Sequence, residues 1–122
     1  MLKALIVTAS VAAATAAFAG PQRLSDVQYM QLARCQALIG STALGAQDTA
    51  AVDAAYKSQR ISRDPFIYDR AEQIHDDTVR AAKRAGPDQK AHLIAERDGV
   101  CRDLVGGVNT AGVASRRPQS LN

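Results

Sequence analysis

Asp64–Pro87, DPFIYDRAEQIHDDTVRAAKRAGP, reads as one complete helix with its start, its buried stripe and its stop all marked. Asp64 supplies a capping carboxylate, and Pro65 a first helical residue whose missing N–H costs nothing at that position. Ile67, Ala71, Ile74, Thr78 and Ala81 recur at four-three-four-three spacing, the period of a single helix face. Asp69 and Glu72 stand toward the positive end of the helix macrodipole, and Arg80, Lys83 and Arg84 toward its negative end. Gly86-Pro87 stops this helix and starts the next with almost no loop, which predicts a tight helical hairpin.

Downstream, the spacing predicts a helix from Pro87 to about Val105, with Ala91, Ile94, Cys101 and Val105 along one face and Val108 extending it. Residues 107–122 are small or polar and aperiodic, the composition of a disordered C-terminal tail. Upstream, Asp48 is placed to cap a helix over Thr49–Arg60 whose inner face carries Val52, Ala55, Tyr56 and Gln59. Ser25 or Asp26 opens a first helix with two apolar stripes. One holds Val27, Met30, Ala37 and Leu38; the other holds Leu32, Cys35 and Ile39. A helix apolar on two sides is buried on two sides, so this one belongs at the centre. No segment alternates as a strand does. The expected fold is all-α, a compact bundle of about four helices within residues 20–106.

The first twenty residues, MLKALIVTASVAAATAAFAG, read as an export leader. Lys3 forms the positive n-region, Ala4 to about Ala16 the apolar h-region, and Ala17-Phe18-Ala19 a small-x-small cleavage site that removes residues 1–19. The apolar run falls short of the ~20 residues a spanning helix needs. No membrane span is therefore expected after cleavage, and the expected location is periplasmic or secreted. An oxidising compartment allows the chain's two cysteines one intramolecular pairing, Cys35 with Cys101. Their wide separation favours a structural bridge between the first and last helices over a C-x-x-C redox pair. A core rich in alanine and without tryptophan needs such a staple. Matching the heights of the two cysteines on antiparallel neighbours favours a first helix running past Gly40 through Leu44; an end at Gly40 requires strongly crossed helices instead.

Few residues suggest chemistry. His75-Asp76-Asp77 is the densest titratable cluster, but adjacent helical residues point about 100° apart and do not converge. His92 and Glu96 have the i, i+4 spacing of two ligands on one helix, on a side expected to face water. These three positions, His75, His92 and Glu96, are the candidates for a metal. Asp98 falls within the inward stripe of the last helix and Arg34 interrupts that of the first, which predicts a structural ion pair between them. Lys57, Arg60, Arg63 and Arg70 form a basic region around the second-to-third helix turn, a candidate surface for anionic lipid headgroups, a glycan polymer or an acidic partner. The overall balance of 15 basic and 12 acidic side chains is too even for a nucleic-acid footprint. No G-x-S-x-G, H-E-x-x-H, C-x-x-C-H, phosphate-binding glycine loop or EF-hand occurs, so no catalytic residue and no cofactor is assigned. The reading that remains is a small exported, non-enzymatic binding protein of the bacterial cell envelope, its partner another envelope protein or polymer. The alternative is a metal- or small-ligand-binding bundle using His75 or His92 with acidic neighbours.

Overall fold

Ser25 opens α1 (Asp26–Gly40) with a full capping box: its hydroxyl accepts from the Gln28 N–H, and Gln28 Oε1 accepts from the Ser25 N–H. The computed structural model describes residues 23–116, with side chains to Thr110. The expected leader at residues 1–19 lies outside the described residues. α2 (Ala50–Arg60) begins where the Asp48 carboxylate accepts from the Ala50 N–H at 2.9 Å. α3 (Pro65–Arg84) begins as Asp64 and Pro65 dictate, with the Asp64 carboxylate 2.8 Å from the Phe66 nitrogen. α4 (Pro87–Glu96) passes through a π turn at Arg97–Cys101 into α5 (Arg102–Arg116), so the last two form one continuous rod. The fold is all-α, and the described residues contain no strand. Among them, no helix is long and apolar enough to cross a membrane.

α1 occupies the centre, packed chiefly on α3 and then on α2. Its two-sided apolar pattern is the cause: Tyr29, Leu32, Ala33, Cys35, Ala37, Leu38 and Ile39 are all buried. One core cluster gathers Tyr29, Leu32, Val52, Ala55, Tyr56 and Ala71 with Val105 and Val108 of the last rod. The other gathers Leu38, Leu44, Ala82 and Leu93 around the Cys35–Cys101 disulfide, whose Cα atoms are 5.3 Å apart. Alanines at 33, 55 and 71 are fully buried and let the helix axes approach closely. Val27 departs from its expected stripe and is exposed, and on α3 Ala82 takes the buried place expected for Ala81.

The first helix does not continue to Leu44. It ends at Gly40, because Ser41 is extended and the chain turns into a short 3-10 turn, Thr42–Leu44. That turn drives Leu44 into the second core cluster, a place it could not reach from the continuing axis of α1. Gly45 then takes φ 77°, and the buried Arg97 guanidinium donates to the carbonyls of Leu44 at 2.8 Å and Gly45 at 3.2 Å. Buried carbonyls need such partners, so Arg97 fixes the turn. The last rod is also longer than expected. Residues 107–116, read as part of a disordered tail, continue the helix. Val108 is buried, and Asn109 Nδ2 donates to the Ala51 carbonyl at 3.1 Å. Cys101 consequently lies inside a long rod, and the cysteines meet without an extended α1.

Gly45 gives a direct test of the turn. An added Cβ would meet nothing within 4 Å, so Gly45→Ala costs only the left-handed backbone. The expected loss is about 1 kcal/mol in urea unfolding. No loss would show that the turn relaxes freely.

Candidate functional site

On α2, Asp53, Tyr56, Lys57 and Arg60 follow an i, i+3, i+4, i+7 pattern and so share one face; on α3, Glu72 and His75 are one turn apart. Packing of both helices against α1 brings these six together with Gln36 around a shallow cleft of about 440 Å³. Three expected site residues therefore meet in one place: His75 from the titratable cluster, and Lys57 and Arg60 from the basic region.

The two carboxylates in this cleft already accept hydrogen bonds. Asp53 Oδ1 accepts from Gln36 Nε2 at 2.9 Å, and Glu72 Oε1 accepts from the Tyr56 hydroxyl at 3.0 Å. Burial, reinforced by the neighbouring Tyr29 and Glu72, pushes the Tyr56 phenol far above its ordinary pKa, so it stays a neutral donor. Behind it, Tyr29 stacks on Tyr56 with ring centroids 5.1 Å apart, and its buried hydroxyl makes no hydrogen bond. Burial likewise raises the pKa of Tyr29. Among the described ion pairs, neither Lys57 nor Arg60 takes part. Arg60 is held instead over the Tyr68 ring, 4.3 Å from its centroid. The cleft thus presents two cations, Lys57 and Arg60, beside two carboxylates whose described donors are neutral, so cations and carboxylates balance in its lining.

The other expected residues go elsewhere. Arg63 is no surface cation: its side chain is only 2% exposed and ties the start of α1 to the end of α2. Arg70 is exposed and donates to Gln73 within its own helix, outside the cleft. His75 Nδ1 lies 3.3 Å from Asp76 Oδ1, a contact that Asp77 does not share. Asp77 pairs with Arg80. His92 is exposed, and its expected companion Glu96 turns away to Arg34. Among the described residues no three His, Cys, Asp or Glu side chains gather as a metal site.

The expected Arg34–Asp98 pair is replaced by two others. Arg34 forms a bidentate pair with Glu96, Nε to Oε1 at 2.7 Å and Nη2 to Oε2 at 2.8 Å. Asp98 pairs with its neighbour Arg97, which holds its carboxyl below the usual range. The π turn explains the exchange. Leu93, Arg97, Cys101 and Val105 are spaced by four and would drift ~40° per step around a regular helix. A wider i→i+5 turn takes up that drift, so all four face inward and Asp98 is turned out.

Gln36, Asp53, Tyr56 and Glu72 are the cleft residues that sequence reasoning missed. The one available signal was the polar i, i+3, i+4, i+7 stripe of α2 flanking its apolar face. Compared with protein-family models, with curated proteins and with solved structures, the chain matches none. The disulfide is compatible with an extracellular or periplasmic location.

Proposed function

We propose that this is a small exported, non-enzymatic binding protein of the bacterial cell envelope, and that the cleft between α2 and α3 is its binding surface. The observation that carries the reading is the pair Lys57 and Arg60, free of carboxylate partners beside Asp53 and Glu72, which are already hydrogen-bonded. On this reading Lys57 and Arg60 contact an anionic group, phosphate or carboxylate, borne by an envelope protein or polymer, while Asp53 and Glu72 restrict where it sits. The leader at residues 1–19 and the oxidised cysteine pair support export. The small-ligand reading of His75 merges with this one, because His75 lines the same cleft.

Titration with inorganic phosphate, followed by amide NMR shifts, tests the proposal. Shifts should concentrate on residues 53–60 and 72–75, and Lys57→Glu/Arg60→Glu should weaken binding roughly tenfold or more. Shifts that avoid the cleft, or survive the double substitution, would sink the assignment.

A further inference from the structure

Among the described residues, four large apolar side chains are exposed: Val27, Ile61, Phe66 and Val100. Single exposed apolar residues are ordinary. Three of these four, however, stand at one end of the bundle. Ile61 and Phe66, 70% and 74% exposed, flank the turn between α2 and α3, and Val27 lies in the first turn of α1. The hydrogen bonds of Arg23 and Arg63 hold those two chain segments together.

The exposure of Ile61 is built in. Ser62 takes φ 62°, a left-handed backbone that non-glycine residues rarely adopt. Arg23 fixes the turn by donating to the Ile61 carbonyl at 2.9 Å and the Ser62 carbonyl at 2.8 Å. Arg63 clamps it from beneath, bound to Gln59, Leu24 and Asp26. A strained, clamped turn that projects isoleucine into water, five residues before an exposed phenylalanine, is a presented surface.

Its surroundings are cationic. Arg23 is exposed beside Ile61, Arg60 closes α2, and Arg70 is four residues after Phe66 on the same face of α3. None of these three arginines takes part in the described ion pairs. Of the nearby carboxylates, Asp26 is paired with Arg63, while Asp64, which caps α3 and keeps its charge, and Asp69 offset two of the three arginines.

We infer that this end of the bundle docks on an anionic lipid bilayer, with Ile61 and Phe66 entering the headgroup–acyl boundary and Arg23, Arg60 and Arg70 meeting lipid phosphates. Docking in this way sets the neighbouring α2–α3 cleft beside the membrane surface. The inference shares Arg60 with the cleft but stands on the turn, and Ile61→Glu/Phe66→Glu, which leaves Lys57 and Arg60 in place, tests it apart from the cleft.

The full chain has no tryptophan, which allows single-site reporters. Phe66→Trp and Val100→Trp are mixed with vesicles of phosphatidylcholine containing about one-third phosphatidylglycerol. Tryptophan at 66 should shift to the blue and be quenched by brominated acyl chains, whereas tryptophan at 100 should do neither. In cosedimentation, Ile61→Glu/Phe66→Glu should weaken binding at least about tenfold, and vesicles of phosphatidylcholine alone should bind weakly. Equal responses at 66 and 100, or none at 66, overturn the proposal. So does undiminished binding of the double variant. Equal binding to both kinds of vesicle overturns the role of the arginines.

Discussion

Replacing both cysteines, Cys35→Ala/Cys101→Ala, lowers the unfolding free energy by about 4 kcal/mol, the loop-closure value for a bridge spanning 66 residues. For a domain of this size that loss moves the melting midpoint down by roughly 20 °C, and net stabilities are often only 5–15 kcal/mol. The chain feels it fully because its second core cluster is small. Apart from the cysteines its buried members are Leu38, Leu44, Ala82 and Leu93, with only partly buried Ile94 and Leu104 as further large side chains to align α1 and the last rod once the bond is gone. Calorimetry with and without reductant measures the effect. A loss under about 1 kcal/mol would show that packing alone aligns these helices.

Arg63→Ala should lower stability by about 3 kcal/mol, far more than removal of a surface cation. The guanidinium donates to the Gln59 carbonyl at 2.9 Å, to the Leu24 carbonyl at 2.7 Å and to Asp26 at 2.8 Å. It also lies over the Tyr29 ring, 4.7 Å from its centroid. Truncation leaves two partly buried carbonyls without donors and uncovers the face of a core tyrosine. Lysine cannot restore the arrangement, since one ammonium does not reproduce a planar fork serving three acceptors. Arg63→Lys should therefore retain less than half of the lost stability by urea unfolding. Anion binding at the α2–α3 cleft should be unchanged at temperatures where the variant is folded. A loss below about 1 kcal/mol for Arg63→Ala would return this residue to the surface region where its sequence context placed it.

The two arginines that matter most inside this fold show where sequence reading stops. Arg63 and Arg60 look alike in sequence, both in a basic run near a turn. One is buried because the left-handed backbone at Ser62 turns the chain back on itself, and the other is left at the cleft. Arg97 is buried, since the π turn rotates it inward to serve the carbonyls of Leu44 and Gly45. Regular helical geometry gave the wrong partner for Arg34 for the same reason: an irregular turn between residues 97 and 101 shifts every position beyond it. Of the cleft, His75, Lys57 and Arg60 were legible as chemically capable residues. Their meeting was not, because it depends on how two helices lie against a third.

Local chemistry carried by adjacent residues was readable from the chain alone. Asp64-Pro65 and Gly86-Pro87 set the bounds of α3, Ser25 began α1, and two cysteines permitted one pairing. These features act over three or four residues, where capping bonds and proline geometry dominate. The two-sided apolar pattern of α1 likewise required a central place, because its burial has no alternative. Tertiary structure decided the rest: the end of α1 at Gly40, the π turn, the length of the last rod, and the convergence of α2 and α3 on a charged cleft. Each reflects competition among distant groups for the same space and the same hydrogen bonds, and that competition is settled only when the helices pack.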